Sequence, residues 1–269
     1  MVALRADMPE PVALMATLGG MHRGHEALLH RARRLGTTLA ASLFLNPTQF
    51  GELEDLDAYP VDTERDLRIF REHDVDYVFK PSVDEMYPPG GYRTVDPGPI
   101  GQVLEGKRRP GHFVAVATVV GRILTIIRPN MAVWGAKDAQ QNLVIKKATE
   151  MLGLDVVHHI EPTVRDQSGL ALSSRNAYLS AAERRAAAGL YRGLKEAAEE
   201  FARGGDDANL LRNIVRSVVA REPLIDLDYV SAADPVTLAE LETASDGTLL
   251  SLAAIVGRSR LIDNVVLGE

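Results

Sequence analysis

The apolar run Val12-Ala13-Leu14-Met15 is followed within a few residues by the glycine pair Gly19-Gly20, and His22-Arg23-Gly24-His25 then opens an amphipathic helix. A hydrophobic strand that stops at glycines and feeds straight into a helix is the start of a βα unit, and it commits the chain to an α/β architecture. Glycines let the backbone come close to a bulky anion, and a helix start offers unpaired N–H groups and a positive dipole end. His22 and His25, three residues apart, share one face of the first turn, so both imidazoles can reach one phosphate group. Histidines at this spacing also suit a metal. The chain has no cysteine, however, and no third ligand stands at metal spacing. The segment reads as a nucleotide site.

The rest of the chain extends that beginning. Hydrophobic periodicity predicts strands at 12–17, 39–45, 77–79, 131–134 and 156–160, alternating with helices at 22–35, 62–72, 112–127 and 139–152. Such alternation implies a mostly parallel sheet with helices on both faces, whose ligands bind at the carboxyl ends of the strands. After about residue 169 the texture changes. Two helices, 181–203 and 206–221, precede three strand-like runs at 227–232, 248–256 and 261–267. This pattern predicts a first domain over 1–168 and a smaller α+β domain over 169–269. No internal repeat or low-complexity tract interrupts either part.

With 269 residues, 46% of them hydrophobic and 25% charged, the chain has enough apolar material for a real core. A net charge of −7 argues against a general nucleic-acid binder while leaving room for a local cationic pocket. No apolar run approaches the ~18 residues needed to span a membrane. Arg5, Asp7 and Glu10 interrupt what would be the apolar region of a signal peptide. The absence of cysteine is compatible with a reducing, cytoplasmic setting.

Three further segments stand just after predicted strands or at helix starts. Asn46-Pro47-Thr48-Gln49-Phe50 puts two neutral amides at a strand mouth, suited to substrate hydroxyls or a carboxylate, or else to an ordinary Asn-Pro turn. Gly135-Ala136-Lys137-Asp138 offers a close backbone approach, a point cation, and a carboxylate fit for ribose hydroxyls or for an N-cap. Gln141, three residues on, faces the same way. Ser173-Ser174-Arg175 combines hydroxyls with a guanidinium able to grip a polyphosphate, unless the serines simply cap a helix. Residues 104–113, with Lys107, Arg108 and Arg109, bring cations to the start of a long apolar helix. The acidic stretch 51–59 lacks periodicity and is expected to form a mobile lid.

Taken together, these blocks resemble the pantoate–β-alanine ligase family along nearly the whole chain. Its Pro-Thr-Met-Gly-x-Leu-His-x-Gly-His appears as Ala16-Thr17-Leu18-Gly19-Gly20-Met21-His22-Arg23-Gly24-His25. Its Asn-Pro-x-Gln-Phe stands at 46–50, its Met-Tyr-Pro at 86–88, and its Leu-Glu-Gly…Arg-Pro-Gly-His-Phe at 104–113. Gly-Glu-Lys-Asp-x-Gln-Gln becomes 135–141, and Asp-Gly-Leu-Ala-x-Ser-Ser-Arg-Asn becomes 168–176. Ala16, Leu18, Ala115 and Ala136 replace a proline, a methionine, a glycine and a glutamate. Val61-Asp62 replaces Arg-Thr. The His-x-Gly-His element alone would imply only the wider nucleotidyltransferase superfamily. Two rivals are an enzyme joining a nucleotide to a phosphorylated small molecule, which would want a cationic acceptor pocket, and a nucleotide-binding regulatory module.

The resemblance implies a Rossmann-like first domain and a C-terminal domain covering the active site. It also implies ATP-dependent condensation of (R)-pantoate with β-alanine through a pantoyl-adenylate, giving pantothenate, AMP and pyrophosphate. His22, His25, Lys137 and Arg175 would be catalytic, with His25 a proton donor that must be protonated near neutral pH. ATP would lie against Leu18, Gly19, Gly20, Met21, His22, Gly24, His25, Gly135, Ala136, Lys137, Asp138, Val164, Leu172, Ser173, Ser174 and Arg175. Gln49 and Gln141 would clamp pantoate, Gln49 would also meet β-alanine, and Mg²⁺ would accompany the phosphates with Asp66 as a candidate ligand. A cytoplasmic homodimer without nucleic-acid or membrane partners completes the expectation.

Overall fold

The computed structural model describes residues 1–51 and 56–269. Its first unit, Met1–Thr163, runs β1 (Val12–Thr17), α1 (Arg23–Leu35), β2 (Thr38–Leu43), α2 (Thr63–Glu72), β3 (Tyr77–Phe79), α3 (His112–Ile127), β4 (Met131–Gly135), α4 (Ala139–Met151) and β5 (Val157–Glu161). Val12, Ala13, Leu14 and Met15 are all fully buried, so β1 has no polar face to offer water and must be a central strand. It pairs in parallel with β2 from Val12↔Thr38 to Thr17↔Leu43, and on its other side with β4 through Ala13↔Met131. The sheet order is β3-β2-β1-β4-β5, all parallel.

Alternate residues of β1 feed two cores. Val12 and Leu14 join Ala132 and Trp134 beneath α3 and α4, packing on Val116, Ile123, Leu124, Val144 and Ile145. Ala13 and Met15 point the other way, with Leu29, Ala32, Ile69 and Phe70 of α1 and α2. Helices thus cover both faces, as the βα alternation predicts. Arg128 ends α3 in the left-handed region (φ 46°), and Pro129 prevents any continuation. A polar chain ties β4, β5 and α4. Trp134 Nε1–H donates to His158 Nδ1 at 2.9 Å, and His158 Nε2 meets Thr149 Oγ1 at 3.0 Å.

The second unit, Val164–Glu269, contains α5 (Ala181–Ala202), α6 (Ala208–Val219), β6 (Ile225–Ala233), β7 (Leu249–Val256) and β8 (Ser259–Val266). The strands form an antiparallel sheet in the order β6-β7-β8, with α5 and α6 packed on one face through Leu190, Leu194, Leu211 and Val215. Ser180 and Glu183 cap α5 reciprocally, and Asp207 caps α6. The boundary falls five residues before the expected 168/169. The cause is a short antiparallel loop. Leu172 N–H donates to the Val164 carbonyl, and Arg165 donates two hydrogen bonds to the Asp263 carboxylate, at 2.6 and 2.9 Å, while stacking on Tyr191. Strand β8 also begins earlier than 261, because polar Ser259 and Arg260 hide a two-residue hairpin at Gly257-Arg258. Among the described residues no helix is long and apolar enough to cross a membrane.

Asp263 is only 3% exposed, so its loss strands a partly buried guanidinium and frees the Val164–Leu172 loop. Asp263→Ala should lower stability by about 3 kcal/mol in urea unfolding. A change below about 1 kcal/mol, the range of exposed pairs, would refute the structural weight given to this pair.

Candidate active site

Parallel strands deliver their carboxyl ends to one edge, and the order reverses between β1 and β4. The register pairs Ala13 with Met131 and Met15 with Val133, so the ends of β1 and β4 run out on the same edge, and Thr17 faces Leu43 of β2. Three loops therefore start side by side: 18–22 after β1, 44–50 after β2 and 136–138 after β4. They carry His22, Gln49 and Lys137, and His25 follows in the first turn of α1.

The glycine loop is built differently from its sequence reading. Gly19 (φ 104°) and Gly20 (φ 67°) both take left-handed backbone, which only glycine adopts without strain. Their turn does not open N–H groups to solvent. Gly19 N–H donates to Thr17 Oγ1, and Gly20 and Met21 N–H donate to the two carboxylate oxygens of Asp66, each at 2.9 Å. His22 caps α1 by accepting the Gly24 N–H on Nδ1 at 3.1 Å, while His25 Nδ1 accepts the His22 N–H at 3.3 Å. This is a capping box made of imidazoles. The His25 and Glu26 N–H groups go to the His22 carbonyl. Most of the expected bare helix start, the Gly24, His25 and Glu26 N–H groups, is thus already engaged from within.

The two rings lie 4.0 Å apart, centroid to centroid. Because each Nδ1 accepts a backbone N–H, the neutral ring carries its proton on Nε2. Burial, with the Lys137 charge nearby, holds His22 down to about 4. Burial, the neighbouring His22 and Lys137 hold His25 down to about 3. Burial therefore disfavours the protonated His25 that the resemblance implies, and favours rings that are neutral Nε2–H donors. Arg65, in the first turn of α2, adds to the depression of His22, a neighbour that no motif in the chain singles out.

Asp66 needs a second correction. It is 0% exposed with both oxygens engaged by the glycine loop, which leaves no open face for a metal. Among the described residues no three carboxylate or imidazole groups gather as a metal cage. Asp62, at the departure from the family's Arg-Thr, caps α2 by accepting the Arg65 N–H.

After β4, Lys137 Nζ donates to Asp138 Oδ1 at 3.3 Å. Asp138 occupies the N-cap position of α4 without a side-chain capping bond, so the N-cap explanation of this carboxylate fails. Gln141 is half-buried. Its neighbour Gln140, which sequence reasoning passed over, staples the segment beside it through the carbonyls of Ile100 and Val103.

The amide of Gln49 is oriented by a chain of unambiguous donors. Asn46 Oδ1 accepts the Thr48 backbone N–H and the Tyr87 hydroxyl, the latter at 2.7 Å, so Asn46 must present its Nδ2 to Gln49 Oε1 at 3.2 Å. Gln49 is left with its NH₂ as the donor to any substrate. Its main-chain carbonyl accepts His112 Nδ1–H at 2.8 Å and Arg109 at 3.3 Å. Arg109 also reaches His112 Nε2 at 3.0 Å, which fixes that tautomer because a guanidinium only donates. Asn46, for which the sequence left a substrate contact and an Asn-Pro turn both open, is fully buried, caps the turn Pro47–Gln49 and holds Gln49. Residues 52–55 of the expected lid lie outside the described residues. At its described ends Phe50 and Tyr59 meet edge to face at 5.8 Å.

In the second unit, Ser173 Oγ accepts the Arg175 N–H and starts the turn Ser174–Tyr178, while Ser180 caps α5 independently. Asn176 Nδ2 donates to the Ala171 carbonyl, and Ser259 Oγ reaches the Arg175 carbonyl. The loop carrying Val164, Leu172, Ser173, Ser174 and Arg175 is thereby fixed within its own unit. His22, His25, Lys137, Asp138, Gln49 and Gln141 belong to the first unit.

Comparison with known proteins identifies the family. A family model described as pantoate-beta-alanine ligase matches residues 2–266. A pantothenate synthetase of Chloroflexus aurantiacus is 50% identical over 258 residues, covering 95% of this chain and 92% of that protein. One from Dehalococcoides mccartyi is 46% identical over 99% of this chain and its own full length. The crystal structure of pantothenate synthetase from Thermus thermophilus superposes with a TM-score of 0.94 at 42% identity, covering 99% of this chain and 98% of that one. A Francisella tularensis pantoate-beta-alanine ligase, solved with beta-gamma ATP and beta-alanine, gives 0.81 at 31% identity, covering 100% and 95%. With a fold, a strand-end site and an almost end-to-end sequence match in agreement, this chain belongs to the pantoate–β-alanine ligase family.

Proposed function

We propose that the strand-end loops of the first unit hold ATP and pantoate for the family reaction, and that the residues of loop 164–175 keep the nucleotide-binding role that the family resemblance implies. As a member of this family the chain is an AMP-forming ligase that condenses pantoate with β-alanine at the expense of ATP. The observation that carries the residue assignment is the pair of imidazoles fixed by their own capping box, close enough to Lys137 to feel its charge.

In the first half-reaction a pantoate carboxylate oxygen attacks the α-phosphorus, and pyrophosphate leaves. Two anions must be brought together and the attacking oxygen held in line. The Nε2–H groups of His22 and His25 donate to phosphate oxygens without needing a proton from solvent. Lys137 supplies the point charge. Ser173, Ser174 and Arg175 take the β- and γ-phosphates, Gly135 and Asp138 the ribose, and Val164 and Leu172 the rest of the nucleotide. The NH₂ of Gln49, with Gln141 opposite, fixes pantoate, and Gln49 later orients β-alanine. The amine then attacks the acyl carbon, forming the amide and releasing AMP. Since no protein cage for a metal is present among the described residues, Mg²⁺ belongs to the reading as the counter-ion of the nucleotide substrate. The use of ATP supports the reading of a cytoplasmic enzyme.

The homodimer has support in β5. Among the described residues this outermost strand is paired only with β4, and it leaves Val157 56% and Ile160 47% exposed. Such an apolar edge is suited to cover by a second copy.

ATP–pyrophosphate exchange should depend on pantoate and not on other short hydroxy acids; exchange without pantoate would remove the assignment. Gln49→Ala should raise the KM for pantoate by about tenfold or more, the loss of a hydrogen bond to a charged group, with the KM for ATP near wild type. Nitrogen-15 NMR should find both histidines as neutral Nε2–H tautomers at pH 7. Their folded pKa values lie below the unfolded value of 6.5, so the unfolded chain binds more protons between pH 6.5 and about 3. Their contribution to stability is complete above pH 6.5 and is lost as pH falls through that window. Imidazolium signals at pH 7 would contradict this. Ile160→Lys should convert a sedimenting dimer into monomer; a wild-type monomer at micromolar concentration would dismiss the interface.

A further inference from the structure

Among the described residues Asp66 is the one fully buried carboxylate that the reaction leaves without a role, and its surroundings give it one. A buried carboxylate is costly unless charge-assisted hydrogen bonds replace its water. Here the replacement comes from the glycine loop: Gly20 N–H reaches Oδ2 and Met21 N–H reaches Oδ1, both at 2.9 Å. The loop is fitted to this carboxylate. A Cβ added at Gly19 would lie 3.0 Å from Asp66 Oδ2 and 3.4 Å from Leu43, and both glycines hold positive φ to turn their neighbours' N–H groups inward. Asp66 itself is rigidly mounted in the first turn of α2, where the helix dipole favours an acid and Asp62 caps the end. Helix stability alone asks for no such burial, since the exposed Glu64 in the same turn meets the dipole equally well.

We infer that Asp66 is a positioning residue for the nucleotide site: its carboxylate clamps the Gly20–Met21 backbone and so fixes where His22 caps α1 and where both imidazoles point. The inference rests on the proposed use of those imidazoles at the phosphates. The Gly20 and Met21 N–H groups are thereby engaged within the protein. They hold Asp66, and the side chains of His22 and His25 take over as donors. The carboxylate carries negative charge beneath a site for a polyanion, so electrostatics and positioning make opposite forecasts. Neutralising Asp66 would help ATP if charge were its only effect, and would harm catalysis if the clamp matters.

The test is ATP–pyrophosphate exchange with wild type, Asp66→Asn and, as control, Glu64→Gln. Pantoate-dependent exchange by the wild type checks the functional reading first, independently of the variant. Asp66→Asn keeps the shape but turns one acceptor into a donor facing an N–H. It should lower the kcat of exchange by about tenfold to a hundredfold, the scale of a misplaced catalytic group, while the KM for pantoate moves less than about twofold. The nitrogen-15 signals of His22 and His25 should shift while those of His158 stay, and Glu64→Gln should match wild type. Unchanged or faster exchange overturns the inference, as does a defect that extra Mg²⁺ repairs, which would make Asp66 a metal ligand. Should Asp66→Asn not fold, hydrogen exchange in the wild type decides: slow exchange at the Gly20 and Met21 amides supports the clamp, and rapid exchange there rejects it.

Discussion

The parallel pairing of β1 with β2 on one side and β4 on the other fixes where everything else in the first unit must go. Because β1 is apolar on both faces, it has to sit in the middle of the sheet, and its neighbours have to run the same way for their crossover helices to cover those faces. The same register places the ends of β1, β2 and β4 together at the point where strand order reverses. Histidines, a lysine and a glutamine that lie up to 115 residues apart in the chain are then neighbours by construction, as His22 and Lys137 are.

Around that edge the polar groups fall into two layers. The inner ones are buried and fully committed to other parts of the protein: Asp66 to the glycine loop, Asn46 to Gln49 and Tyr87, Gln140 to the carbonyls of Ile100 and Val103, His112 to the Gln49 main chain. The outer ones, such as Gln49 and the imidazole Nε2 atoms, are aimed by the inner layer. A side chain whose other atoms are already bonded has few orientations left, so it would have little entropy still to lose on meeting a ligand. Committed inner groups are what make the outer groups specific.

The histidines illustrate how burial changes a chemical role. An exposed pair would be partly protonated near neutral pH and would attract phosphate as cations. Burial, mutual proximity and Lys137 make that charge unfavourable here, and the backbone N–H groups occupying each Nδ1 leave a single donor per ring. Charge is then concentrated in Lys137 while the imidazoles supply direction. This division suits a reaction in which negative charge develops on a leaving group at a defined place.

The sequence alone determined the βα alternation, the two-part organisation and nearly every element, because hydrophobic period and glycine, proline and capping residues are local properties that survive in any context. It also identified the segments at strand ends, since the architecture dictates where loops meet. What it could not contain was the partner of each polar group. Asp66 looked like a metal ligand because its carboxylate was visible and the Gly20 and Met21 amides, 46 and 45 residues away, were not. Glycine N–H groups looked open to an anion for the same reason. The protonation of His25 depends on desolvation, which exists only once the core has formed. Residue types and their spacing set which chemistry was available; the tertiary structure decided which atoms were already spent, because hydrogen bonds and burial are made between segments and not within them.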